Sequence, residues 1–256
     1  MGDWDFGNEP NYAHAERFTS TGYIFSNWQI GQSLLFIPFF FLGHVIALTL
    51  SGFGYDIALD GNSLPYHMST AFASQTYVFF GLCILFIILR RYYSAGVSLL
   101  ATVGVWLGSS LPYYTFIRQR MAHGTEFCLS MVFLWVWLFF RRSKDLYYHG
   151  LMGAALGALC LVRTINGAFV ILYITDQIVQ WLSSNSERKG LGLYNLRILT
   201  FGFASLIVFS PQLYTWNQLD GSLLAYFTRI FKVMGGQTQA FVSIWELLNK
   251  IYHLIL

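Results

Sequence analysis

Residues 71–91 read AFASQTYVFFGLCILFIILRR, and no charged side chain appears before Arg90 and Arg91. A helix over Ala71–Leu89 rises about 28 Å at about 1.5 Å per residue, close to the thickness of a bilayer's hydrocarbon core. The arginine pair then marks the point where such a helix meets water. Working outward, comparable runs occupy Ser94–Leu111, His123–Phe140, Tyr148–Val162, Ala168–Leu182 and Leu196–Ser210. They are separated by short charged or Gly-, Pro- and Asn-bearing breaks. The pattern predicts an all-α, polytopic transmembrane helical bundle of about six helices over 71–213. Small residues at Gly150, Gly153, Ala154, Gly157 and Ala158 form a stripe that invites close packing of a neighbouring helix.

Composition agrees. The chain is 55% hydrophobic and 11% charged, against roughly 25% charged in soluble domains, too little polar surface to coat a globule in water. A net charge of +3, with its cations in short clusters between apolar runs, argues against nucleic acid as a partner. Cys83, Cys128 and Cys160 each lie inside an apolar run without metal-ligand spacing, and read as packing residues. The start, Met1-Gly2-Asp3-Trp4-Asp5, has neither the basic nor the apolar region of a signal peptide. A preceding transmembrane helix is therefore expected to insert the chain.

The flanks are less regular. Residues 1–70 are expected to form an outer loop, with the apolar stretch 33–51, SLLFIPFFFLGHVIALTLS, either spanning or lying at the interface. Hydropathy favours a span, whereas Pro38 and His44 allow an interfacial helix. Residues 52–69 read as a polar loop. Residues 214–256 are expected to hold another outer loop and the start of a further, truncated segment, with a turn-rich loop over Pro211–Gly221.

Positive charge in short loops favours the cytoplasm. Arg90-Arg91, Arg141-Arg142-Lys144 and Arg188-Lys189 are separated by even numbers of expected crossings, so they share one side. The opposite, outer side then receives 52–69, the Arg118/Arg120 loop, the Arg163–Asn166 break and the Pro211–Gly221 loop.

Several residues there have chemical potential. Asp3, Asp5 and Glu9 can hold a divalent cation through oxygen ligands, Mg or Mn, or supply a general base; solvated surface explains them as well. Arg118 and Arg120 precede His123 and Glu126, which share a helix face; the arginines suit a phosphate, and snorkelling anchors are the plain alternative. Arg163 and Asn166 sit at the outer end of a run, where charge near lipid faces a cavity or a partner. Gln212, Trp216, Asn217 and Asp220 suit either a sugar site or an aromatic belt. His44 and His67 read as structural.

The ordered segments DWDFGNEPNY (3–12), FSNWQIGQSLLFIPFFFLGH (25–44), LPYYTFIRQRMAHGTEFCLSMVFLWVW (111–137), GAALGALCLVRTINGAF (153–169) and FSPQLYTWNQLDGSLL (209–224) resemble bacterial polytopic glycosyltransferases of the GT-C class. More narrowly, the chain resembles the group related to protein O-mannosyltransferases and the lipid A aminoarabinose and galacturonic acid transferases. The resemblance implies sugar transfer from a polyprenyl-phosphate-linked donor to a glycan, lipid or protein acceptor, on the outer face of a bacterial inner membrane. It implies that 33–51 lies along the outer membrane surface, that Asp3 or Asp5 is the base, and that Arg118, Arg120 and Arg163 hold the carrier phosphate. In that group a transmembrane helix and often the principal acidic pair precede a stretch like 3–12, and further helices follow a point like residue 256, so a fragment is expected. A transporter or lipid flippase is the competing class, although such proteins place ionisable groups at mid-membrane, and 71–89 and 94–111 carry none. A purely structural assembly subunit is a third possibility.

Overall fold

A computed structural model describes residues 21–22, 28–183 and 191–223, with the side chains of residues 191 and 193 excepted. The chain divides into two compact units, Trp28–Ser210 and a second made of Met1–Asn27 with Pro211–Leu256. Every regular element among the described residues is helical.

In the larger unit, α1 (Gly31–Gly52) and α2 (Leu64–Arg90) pack antiparallel, with Phe36 stacked on Tyr77 and His44 bonded to the Tyr66 hydroxyl at 2.6 Å. The start of α2 lies seven residues before the uncharged run suggests. The Asp60 carboxylate accepts the amides of Asn62 and Ser63, Gly61 takes φ +79° at the turn, and Pro65 sits in the first helical turn. That is local chemistry that begins a helix. The expected loop over 52–69 therefore ends at Ser63.

α3 (Ala95–Leu107) stops short of the expected 94–111. Its 13 residues rise about 20 Å, and a short helix α4 (Leu111–Phe116) follows after Ser109 accepts the Leu111 amide. The Arg118/Arg120 loop is thus preceded by a short helix.

α5 (His123–Phe140) runs parallel to the C-terminal half of α2. Gly124 meets Ser74 and Val78, Gly81 meets Phe127 and Cys128, and the Arg91 guanidinium lies 4.5 Å from the Phe139 ring centre. Arg90-Arg91 and Arg141-Arg142 accordingly sit at one end of this pair. α6 (Leu146–Val162) returns antiparallel to α5, with Phe140 stacked on Tyr148 at 4.1 Å at one end and Glu126 paired with Arg163 at the other. Asp145 caps α6 by accepting the Tyr147 amide.

The next expected crossing is broken. A 3-10 helix, Thr164–Phe169, leads into α7 (Val170–Leu182), where the sequence suggested one run over 168–182. Asn166 supports the break by donating to the Leu159 carbonyl.

α8 (Leu191–Asp220) packs parallel to α6. A Cβ on Gly153 would lie 2.0 Å from the Phe201 carbonyl oxygen, and one on Gly157 2.5 Å from that of Ser205. The small-residue stripe is thus what lets the two backbones meet.

α8 also continues past Pro211, so the loop expected over Pro211–Gly221 begins only after Asp220. Proline removes the donor for the carbonyl four residues back. The Ser210 hydroxyl bonds that carbonyl, on Ile207, at 2.8 Å and replaces the missing partner. In the second unit, the Thr21 hydroxyl donates to the Leu219 carbonyl, and Gln212, Trp216 and Asp220 are buried.

The distribution of polarity fits lipid rather than water. Leu100 is 75% exposed and Phe203 69%, while Ser98, Thr125, His149, Gln177 and Arg197 are buried. A water-soluble fold places these classes the other way round. Four helices, Gly31–Gly52, Leu64–Arg90, His123–Phe140 and Tyr194–Asp220, are long and apolar enough to cross a membrane. The chain is an all-α integral membrane protein.

Candidate functional site

At the end of the larger unit opposite Arg90 and Arg141, the start of α5 and the end of α6 bring three charged or titratable side chains together. Arg163 Nη1 donates to Glu126 Oε2 at 2.9 Å. His123 Nδ1 lies 3.5 Å from that same carboxylate oxygen and 3.5 Å from Arg163 Nη1. The order of elements explains the meeting. His123 and Glu126 occupy the first turn of α5, three residues apart on one face. Arg163 ends α6, which has travelled back alongside.

The cluster is open to its surroundings. The Arg163 side chain is 40% exposed and that of His123 34%, while Glu126 is more deeply set. Only Nη1 of the Arg163 fork is engaged among the described residues, which leaves Nη2 and Nε as donors for an anion. His123 also packs on Tyr114, ring centres 3.9 Å apart, so α4 helps fix the imidazole.

Arg118 and Arg120 lie exposed on the turn between α4 and α5. The Gln32 side chain at the start of α1 donates to the Arg120 carbonyl at 2.7 Å, tying this turn to α1. Gln29 donates to the Thr164 hydroxyl at 3.2 Å, tying the same approach to the segment after Arg163. Gln29 and Gln32 escaped the sequence reading, although two glutamines three apart before a long apolar helix were a usable signal.

Asn166 does not join the cluster. It is buried and turned onto the Leu159 carbonyl, a helix-ending role. Gln212, which belongs to the second unit, is buried. Asp3, Asp5 and Glu9, the expected base and cation ligands, lie outside the described residues. Among the described residues, no group of three His, Cys, Asp or Glu side chains is placed to hold a metal ion.

No family model, curated protein or solved structure matches the chain. The site's chemistry therefore rests on its own geometry. A half-exposed guanidinium, pre-oriented by a carboxylate, suits recognition of a phosphate or carboxylate. The three cysteines are free, with Cys128 buried and the others partly so, as packing residues would be.

Proposed function

We propose that the chain belongs to a membrane glycosyltransferase of the GT-C type. The reaction moves a sugar from a polyprenyl-phosphate-linked donor to an acceptor hydroxyl on the outer side of a bacterial plasma membrane. The observation that carries this reading is the convergence of His123, Glu126 and Arg163 at the bundle end remote from the Arg90-Arg91 and Arg141-Arg142 clusters. With those clusters cytoplasmic by the positive-inside rule, the cluster faces outward, where the lipid phosphate of such a donor would lie.

In the proposed step, a carboxylate, Asp3 or Asp5, takes the proton from the acceptor hydroxyl, whose oxygen attacks the anomeric carbon. The bond from that carbon to the phosphate oxygen breaks, and its electron pair leaves on the lipid phosphate. Arg163, with Arg118 and Arg120, stabilises that developing charge. Glu126 and His123 hold Arg163 in place. A divalent cation, where used, would be held by Asp3 and Asp5 and would supply further charge neutralisation at the phosphate. Membrane lipid surrounds the site.

Transfer of radiolabelled sugar from a polyprenyl-phosphate donor, catalysed by the full-length protein, tests this. Removing one charge-stabilising donor costs about 10²-fold in rate, so Arg163→Ala should lose activity on that scale. Transfer left intact by Asp3→Asn, Asp5→Asn and Arg118→Ala together would contradict these roles. Cysteine labelling of intact cells that put residues 3 and 118 on opposite faces would contradict the mechanism as a whole.

A further inference from the structure

We propose that the opposite, Arg141 end of the bundle holds a second anion, a phosphate bearing a hydroxyl, between α7 and α8, with Arg197 as its charged anchor and Gln177 as its neutral partner. Arg197 is 3% exposed, inside an apolar helix. No carboxylate is paired with it among the described residues. Its guanidinium carbon lies 5.1 Å from the Tyr194 ring centre, and its Nε lacks a hydrogen-bond partner. Gln177 is 2% exposed, and both its Oε1 and its Nε2 lack partners.

Helix register brings the two together. Tyr173 of α7 stacks on Phe201 of α8 with ring centres 3.8 Å apart and planes within 4°. α8 runs parallel to α6, and α7 runs back toward Arg141, so α7 and α8 are antiparallel. Gln177 lies one turn after Tyr173 and Arg197 one turn before Phe201, so both sit one turn from the stacked rings in the same direction. The charge of Arg197 also reaches the His149 ring and the Tyr173 hydroxyl.

The neighbouring polar groups are already committed. Asp176 binds Arg141 at 3.1 Å through one oxygen and Gln180 at 2.8 Å through the other. His149 uses one ring nitrogen on the Tyr173 hydroxyl and the other on the Ser143 carbonyl. Among the described residues, one buried cation therefore remains without a counter-charge, an arrangement that is strongly unfavourable unless something fills it. A phosphate fits the guanidinium fork and accepts from Gln177 Nε2. A hydroxyl on that phosphate or its headgroup satisfies Gln177 Oε1. This inference stands apart from the sugar-transfer reading, which concerns the other end.

The test uses the full chain in phosphatidylcholine nanodiscs, with thermal unfolding followed as either phosphatidylglycerol or inorganic phosphate is added. A rise in Tm with phosphatidylglycerol alone assigns the anion to a lipid headgroup, and a rise with inorganic phosphate assigns it to a soluble source. In Arg197→Gln and in Gln177→Leu the apparent affinity should fall about ten-fold, the loss of a charge-assisted hydrogen bond, whereas Arg142→Ala, an exposed cation at the same end, should keep it. No shift with either anion, or an equal loss in Arg142→Ala, overturns the site. So does a finding that Glu187→Gln abolishes the effect of removing Arg197, since the chain's own carboxylate would then be the counter-charge.

Discussion

The two polar ends of the larger unit handle charge in opposite ways. At the His123 end, one carboxylate is shared between an arginine and an imidazole that both stand partly in the open. At the Arg141 end, Asp176 is 91% buried and bound on both oxygens although Arg141 is 33% exposed, His149 has no exposed surface, and Arg197 is a buried cation without an ion pair among the described residues. Loose, exposed pairing can be rearranged by an incoming anion at small cost. Saturated, buried pairing cannot, because breaking it strands a charge. The first end is therefore suited to exchange with a substrate, and the second to fixing the helices and enclosing one tightly held group.

The comparison breaks most visibly at Asp176. Asp176→Ala leaves the partly exposed Arg141 without its carboxylate and Gln180 with only the Arg141 carbonyl, and should destabilise the protein by about 1–3 kcal/mol. Denaturation in detergent should show this, while phosphate binding at the His123 end stays unchanged. A small stability change would mean that the Arg141 end is as loosely paired as the other.

Next in size is the seam between α6 and α8. Gly153→Val puts side-chain carbon where the Phe201 carbonyl already lies, and overpacking of this kind costs about 1–3 kcal/mol. Gly150→Val meets only the Thr200 methyl at 3.6 Å from its Cβ, so it should cost much less. Comparing the two mutants in one thermal-unfolding series sharpens the assignment of the seam. Tyr173→Phe should cost less again, about 1 kcal/mol for one hydrogen bond to His149, with the ring stack on Phe201 kept.

Much of this architecture could be read from the residues, and the failures share a cause. α2, α5 and α6 announced themselves as apolar runs ended by Arg91, Arg141 and Arg163. The early start of α2 depends on Asp60, Ser63 and Pro65, a turn that hydropathy ignores. The continuation of α8 through Pro211 depends on one Ser210 hydroxyl, and nothing in a proline's sequence context signals such a rescue. In the site, His123, Glu126 and Arg163 were each visible as candidates. Their meeting was not, because it needs α6 to return antiparallel along α5. Arg197 passed unnoticed as a flank of an apolar run, though a lone arginine in LYNLRILTFGF was the stronger signal of a buried charge.

The smallest effect on stability, and the sharpest test of the contrast, is expected at Glu126. Glu126→Gln removes a charge from a pair whose arginine is 40% exposed, so unfolding stability should shift by no more than about 1 kcal/mol, against the larger loss at Asp176. Its effect on binding should run the other way. Glu126 and a phosphate compete for the same guanidinium, and a neutral amide at this position still accepts from Arg163 Nη1 without repelling an anion. Inorganic phosphate, titrated against the full-length protein, should therefore bind Glu126→Gln several-fold more tightly than the unaltered chain, and Glu126→Gln with Arg163→Ala should lose that gain. Weaker binding in the single variant would mean that the carboxylate chiefly orients Arg163, and that the His123 end is organised more like the Arg141 end than its exposure implies.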